Sequence, residues 1–207
     1  NNKSVLPVRK GARVLIAGPG ADNMAMQAGG WTITWQGTDT RAEDFPKGQT
    51  IGRAITDAIA IAGGKAEIAS DGTFKTKPDV AIIVLGEKPY AEFEGDIPHL
   101  AFNSQQGEIE LIKRLKAKGV RVVVLFLSGR PMFTGPLINL ADAFVAGWLP
   151  GTQGQGVADV LVAGGGLVGL VVVDVQLRQA QADRLAVAHL EFSLDAAADD
   201  LLRGDAV

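Results

Sequence analysis

Five short runs of β-branched and aliphatic residues recur along the chain: Arg13–Ala17, Lys65–Ala69, Val80–Leu85, Arg121–Leu127 and Ala143–Ala146. Several are apolar almost throughout, the pattern of strands covered on both faces, and this predicts a parallel sheet. Between the first two, Thr50 stands at an N-cap position and Ile51, Ile55 and Ile59 recur every four residues beside Ala54, Ala58 and Ala62, until Gly63-Gly64 stops the helix. Between the third and fourth, Glu108–Lys118 places Ile109, Ile112 and Leu115 on one face, spaces Glu110 to pair with Arg114, and ends at Gly119. Strand, helix, strand order requires right-handed crossovers. The expected fold is therefore a three-layer α/β sandwich, a mostly parallel sheet flanked by helices in flavodoxin-like order.

Two connections are too long for simple links, which in such units run to about 2–6 residues. One follows Ala17 and extends to about Gln49; the other follows Leu85 and extends to about Gln105. Both leave the carboxyl end of a strand, where open α/β sheets bind their ligands. From about Gly164 the composition changes to Ala, Leu, Val, Asp and Arg, with no Lys, Pro, Trp, Tyr, Asn, Ile or Thr. One further strand from Val168 and Leu170–Val173 and a helix over Leu177–Leu190 are the elements this tail offers. The chain begins with Asn rather than Met and no leader precedes the fold, which reads as a cut inside a larger product. The expected division is 1–10 as a linker from a missing upstream domain, 11–162 as the sandwich, and 163–207 as an atypical tail.

Composition narrows the function classes. Of 207 residues 47% are hydrophobic and 21% charged, with a formal net charge of −3 and Lys and Arg scattered, so no basic patch marks a nucleic acid or an anionic membrane as partner. The longest apolar runs fall well short of the ~20 residues that cross a bilayer. Absence of cysteine removes thiolate nucleophiles, disulfides and Cys-based metal sites, and leaves the compartment open.

The first long loop contains Gly29-Gly30-Trp31-Thr32-Ile33-Thr34-Trp35-Gln36-Gly37. Glycines let the backbone approach a partner closely, and an indole offers a flat apolar face with a donor at its edge. Sugar rings suit such a face, although a pair of tryptophans also serves as a core anchor. The second loop, Gly86-Glu87-Lys88-Pro89-Tyr90-Ala91-Glu92-Phe93-Glu94-Gly95-Asp96, carries four carboxylates beside a strand end. Paired carboxylates perform glycoside hydrolysis, one protonating the leaving oxygen while another attacks or activates water. A solvated surface or a cation site is the competing reading, and the spacing does not fit an EF-hand. Burial beside aromatic groups, or a neighbouring carboxylate, is expected to raise the pKa of the member that acts as acid.

These two motifs, followed by Leu127-Ser128-Gly129-Arg130-Pro131 and Ala146-Gly147-Trp148-Leu149-Pro150-Gly151-Thr152-Gln153-Gly154, resemble the second, C-terminal domain of glycoside hydrolase family 3, of the β-glucosidase and exo-β-glucanase type. The resemblance runs from about Leu6 to Val162. It implies an active site shared with a barrel domain, Glu92 as general acid/base, and Trp31, with Gly30 beside it, as a substrate-binding wall. Glu87, Glu94 and Asp96 are then loop-shaping or tuning residues. It further implies a β-glucoside or β-glucan substrate, no metal or organic cofactor, and a nucleophilic aspartate on the absent barrel, and it fits a secreted or periplasmic enzyme.

Other motifs carry less. Gly18-Pro19-Gly20 follows a strand as a phosphate-binding turn does, but Met24 stands near where the fingerprint's third glycine belongs. His99 and His189 lie in no metal-ligand spacing. Ser128-Gly129-Arg130-Pro131 is no nucleophile elbow and reads as a turn in which Arg130 pairs a loop carboxylate. The alternative to a catalytic domain is a non-catalytic carbohydrate-binding or structural module built on the tryptophan loop.

Overall fold

The computed structural model of the chain describes residues 1, 4–102 and 106–162. The expected tail elements and His189 lie outside the described residues. Five strands, β1 (Arg13–Ala17), β2 (Lys65–Ile68), β3 (Val80–Gly86), β4 (Arg121–Leu127) and β5 (Ala143–Ala146), form one sheet in the order β2-β1-β3-β4-β5. Every pairing is parallel. Five α-helices connect and cover them: α1 (Met24–Ala28), α2 (Ile51–Ile61), α3 (Gln106–Ala117), α4 (Gly135–Leu140) and α5 (Gly154–Leu161).

Strand side chains alternate between the two faces. Val14, Ile16, Ile82, Val84, Val123 and Leu125 point to one side, where Ile51, Ile55 and Ile59 of α2 and Ala158 and Leu161 of α5 close over them. Leu15, Ala81, Ile83, Leu85, Val122 and Val124 point to the other, beneath Ile112 and Leu115 of α3 and Leu137 of α4. Burial of this kind contributes on the order of 1.5–3 kcal/mol per large aliphatic side chain. The expected sandwich and strand order are both present. β2 departs from the all-apolar pattern because it is an edge: Lys65 and Glu67 are exposed, and such charges discourage pairing with another chain. Val5 and Val8, in the stretch read as a linker, are buried, and Val8 N–H donates to Leu161 O at 2.8 Å.

Several local expectations change. Thr50 does precede α2, but its side chain makes no cap bond; its hydroxyl lies 2.5 Å from Asp22 Oδ1. The free first-turn N–H of Ile51 is met instead by Gln27 Oε1 at 2.9 Å. Glu110 pairs with Lys113 at 3.4 Å rather than with Arg114, whose guanidinium reaches the Asp71 carbonyl. The loop after β1 contains α1 and a short 3-10 turn over Ala42–Asp44, and α4 follows Thr134; their five, three and six residues are too few to show a helical period.

Gln27 is fully buried and joins three segments. Its Nε2 donates to Gln49 O at 3.0 Å and Gly151 O at 2.8 Å, while Oε1 serves Ile51. Gln27→Leu leaves Ile51 N–H and Gly151 O without this partner, while Gln49 O keeps Gly154 N–H at 3.1 Å, and each buried unsatisfied group costs about 1–3 kcal/mol. The expected loss is about 3 kcal/mol of unfolding free energy, after partial relaxation, measured as a lowered urea midpoint; an unchanged midpoint contradicts the role.

Candidate active site

In this strand order the chain winds one way from β1 to β2 and the other way from β3 to β5, so the connections after β1 and β3 diverge and leave a crevice at the strands' carboxyl ends. A cleft of about 1080 Å³ occupies that position, lined by residues that include Met26, Gln36, Glu87, Tyr90, Glu94 and Arg130. The two long loops meet beside it. Gly30 packs so closely on the second loop that a Cβ added there would overlap the Tyr90 carbonyl oxygen. The space that its missing side chain provides is filled by that loop.

The first loop folds back on itself: Trp31 N–H donates to Trp35 O at 2.8 Å and Thr40 Oγ1 to Thr32 O at 2.9 Å. Trp31 and Ile33 both adopt positive φ, +58° and +62°, a conformation that disfavours a β-branched residue in particular. Strain of this sort is retained where the surroundings hold it. The turn presents apolar side chains outward: Trp31 is 69% exposed, Ile33 64% and Trp35 45%. The indoles of Trp31 and Trp35 are 6.1 Å apart, and Phe93 of the second loop meets Trp35 edge-on at 5.6 Å.

Glu92 lies against this aromatic shelf. Trp35 Nε1 donates to its Oε2 at 2.8 Å, and Gln36 Nε2 donates to its backbone carbonyl at 3.0 Å. The carboxyl is exposed, and the Trp35 indole N–H, which bonds the ionised form, holds its pKa below the ordinary glutamate value, with the Trp31 indole acting in the same sense more weakly. The expectation that burial or a second carboxylate raises that pKa is therefore reversed in this chain. Glu92 and Trp31 stand at the aromatic shelf, outside the cleft lining, whereas Glu87, Glu94 and Arg130 line the cleft.

Glu87 belongs to a different arrangement. Arg130 donates to its Oε1 through Nε at 3.0 Å and Nη2 at 2.8 Å, donates through Nη1 to Gly95 O at 2.6 Å, and stacks over the Tyr90 ring at 4.0 Å. Ser128 Oγ donates to Glu87 Oε2 at 2.5 Å. One guanidinium thus grips the start, middle and end of the loop that carries Glu92, a use of its planar fork that lysine cannot copy. The expected pairing of Arg130 with a loop carboxylate is observed. Asp96 is exposed, and its N–H bonds Phe93 O within the turn. His99 is exposed as well, and among the described residues no group of His, Asp or Glu is arranged to hold a metal. The turn at Gly18 packs on β3, where a Cβ at Gly18 would meet Val84 O at 2.5 Å, so this glycine serves strand packing. No described helix is long and apolar enough to cross a membrane.

Gln36 and Tyr90 stand in the two motifs with no individual role, and Trp35 only as half of a tryptophan pair. The donor at an indole edge was the available signal for Trp35; nothing in spacing shows it reaching a residue 57 positions on.

Arg130→Ala removes the guanidinium contacts to Glu87, Tyr90 and Gly95 and leaves the half-buried Glu87 carboxylate with the Ser128 hydroxyl but no cation. The expected cost is about 3 kcal/mol in unfolding free energy, with faster proteolysis inside residues 86–96; Arg130→Lys is expected to recover only part of it.

Comparison with known proteins identifies the family. Residues 1–186 match the family model of the glycosyl hydrolase family 3 C-terminal domain. A lysosomal beta glucosidase of Dictyostelium discoideum is 30% identical over 182 residues, which cover 78% of this chain and 22% of that protein. A periplasmic beta-glucosidase of Salmonella typhimurium is 26% identical over 187 residues, 78% of this chain and 24% of that protein. Among solved structures, exo-1,3/1,4-beta-glucanase from a Pseudoalteromonas species superposes with a TM-score of 0.76 at 48% identity, covering 79% of this chain and 21% of that one. The beta-glucosidase from Listeria innocua in complex with isofagomine gives 0.60 at 25% identity, over 77% and 22%. The chain thus spans less than a quarter of the length of each of these relatives. Its motifs and sheet order converge with these matches on one assignment: the chain belongs to glycoside hydrolase family 3, as the family's C-terminal domain.

Proposed function

We propose that this domain supplies the general acid/base to a retaining β-glucosidase or exo-β-glucanase, with Glu92 as the proton donor and Trp31 as the wall on which the sugar stacks. The observation that carries the reading is an exposed glutamate carboxyl held on an exposed indole shelf at the carboxyl ends of a parallel sheet. The resemblance to the family assigns the nucleophilic aspartate to a barrel domain, so the crevice has a second wall that the 207 residues do not contain. Residues 11–162 form the sandwich in this scheme, 1–10 lead into it from the barrel and pack Val5 and Val8 on its core, and 163–207 lie outside the catalytic role.

In the first step Glu92 protonates the glycosidic oxygen while the aspartate attacks the anomeric carbon; in the second it takes the proton of the attacking water. An acid must be protonated when substrate arrives, and Glu92 in the open domain is biased the other way. The second wall and a bound sugar exclude water from the carboxyl, and desolvation raises a carboxyl pKa. Proton donation is thereby tied to closure of the crevice. Glu87 and Arg130 hold the loop, Glu94 and Asp96 shape its turn, and Gly30 fixes how near Trp31 stands to it.

Because the Trp35 indole N–H lowers the Glu92 pKa and so favours a carboxylate that only binds, a second reading is a non-catalytic carbohydrate-binding module that uses the indole shelf alone. The two readings separate by mutation. With the chain joined to a barrel that carries the aspartate, Glu92→Gln is expected to lower turnover of β-glucosides with poor leaving groups by about 100- to 10,000-fold. Azide, a nucleophile that needs no base, is expected to restore part of the turnover for good leaving groups. The binding-module reading instead predicts sugar affinity lost on Trp31→Ala and unchanged on Glu92→Gln, with no effect of Glu92→Gln on turnover. The 207-residue chain alone is expected to release no aglycone from aryl β-glucosides above the buffer rate; hydrolysis abolished by Glu92→Gln contradicts the half-site proposal.

A further inference from the structure

Glu92 is exposed, and an exposed glutamate on a loop ordinarily samples several rotamers and carries its backbone with it. Here three hydrogen bonds from two consecutive residues of the other loop bear on it. Trp35 Nε1 donates to Oε2 at 2.8 Å. The Gln36 amide brackets the peptide: its Oε1 accepts from Ala91 N–H at 2.7 Å and its Nε2 donates to Glu92 O at 3.0 Å. A side-chain amide used in this way copies a backbone bridge between two loops that have no strand pairing of their own.

Trp35 is itself constrained, with Phe93 edge-on at 5.6 Å and Trp31 tilted at 6.1 Å. Its backbone carbonyl accepts from Trp31 N–H, so the ring that holds the carboxylate and the more exposed ring beside it share one small turn. The two tryptophans differ accordingly. Trp31 is 69% exposed, whereas Trp35 is 45% exposed and its N–H is occupied by Glu92.

We infer that Trp35 and Gln36 are positioning residues for Glu92: the indole N–H selects one carboxylate rotamer and the amide fixes the peptide that carries it. The inference builds on the proposed acid/base role, but the contacts hold whether or not Glu92 is catalytic. Residues 29–37 of the opposing loop carry no charged side chain. On Glu92's own loop Glu87 is paired with Arg130, and the remaining flanking charges are Lys88, Glu94 and Asp96. A hydrogen bond to the ionised form favours that form, so removing the donor moves the Glu92 titration upward.

Carboxyl and indole NMR titrations of the 207-residue chain test this. In the unmodified protein the Trp35 Hε1 resonance is expected to follow pH with the midpoint of the Glu92 carboxyl, and to lose that response in Glu92→Gln. Trp35→Phe, which keeps a ring and removes the donor, is expected to raise the Glu92 midpoint with Ala91 amide exchange unchanged. Gln36→Leu is expected to speed Ala91 amide exchange about tenfold or more. In the barrel-joined enzyme Trp35→Phe is expected to move the basic limb of the pH–rate profile upward and to lower kcat with little change in KM. A Trp35 resonance indifferent to Glu92 ionisation, or a Glu92 midpoint unmoved in Trp35→Phe, overturns the role of Trp35; unchanged Ala91 exchange in Gln36→Leu overturns that of Gln36. An enzyme fully active as Glu92→Gln defeats the catalytic reading while leaving the resonance result to stand by itself.

Discussion

The reversal of winding between β1 and β3 is the constraint on which the site depends. A parallel sheet built outward in two directions cannot cover the gap between its two central strands at their carboxyl ends with a helix, because the chain leaves each of them toward opposite faces. Both neighbours supply a long loop at that gap, and the loops face each other across it. Their cohesion comes from polar and backbone contact more than from apolar burial. Gly30 rests on the Tyr90 carbonyl, the Gln36 amide bridges to residues 91 and 92, and Arg130 gathers Glu87, Tyr90 and Gly95. The apolar rings of Trp31, Trp35 and Phe93 are left outside, exposed.

The division of labour among the carboxylates follows from this arrangement. Glu87 sits nearest the strand end, where Ser128 and Arg130 leave β4 within reach, and it becomes half of a partly buried ion pair. Glu92 comes five residues later, past the Tyr90 ring, where the opposing turn offers it indole edges in place of a cation. One carboxylate is spent on holding the loop and the other is left open. Removing a partner from a partly buried pair is far costlier than removing an exposed contact, so the loop tolerates variation at Glu92 more readily than at Glu87.

The sheet was readable in the sequence because both of its faces are buried: Val80–Leu85 and Val122–Leu127 admit no polar residue. The position of the cleft at the strands' carboxyl ends follows from the fold class. The family motifs singled out Glu92 and Trp31, and the turn reading of Arg130 anticipated its pairing. What the residues did not disclose is long-range polar chemistry. Gln27 in a five-residue helix, Thr50 diverted from its cap to Asp22, and Trp35 reaching Glu92 each depend on segments brought together only by the fold. The depressed Glu92 pKa was missed for the same reason, since the charge state of an exposed carboxyl is decided by whichever donor the opposing loop delivers.

Gln27 also bears on the order in which the domain can assemble. Its amide needs the carbonyl of Gly151, 124 positions later, and Gly151 N–H in turn donates to the Gln27 carbonyl. A chain emerging from the ribosome therefore holds the segment after β1 with two of its closing bonds missing until β5 and the turn after it have been synthesised. The helix that leads into the tryptophan turn is thus tied down by a segment more than a hundred residues further along the chain.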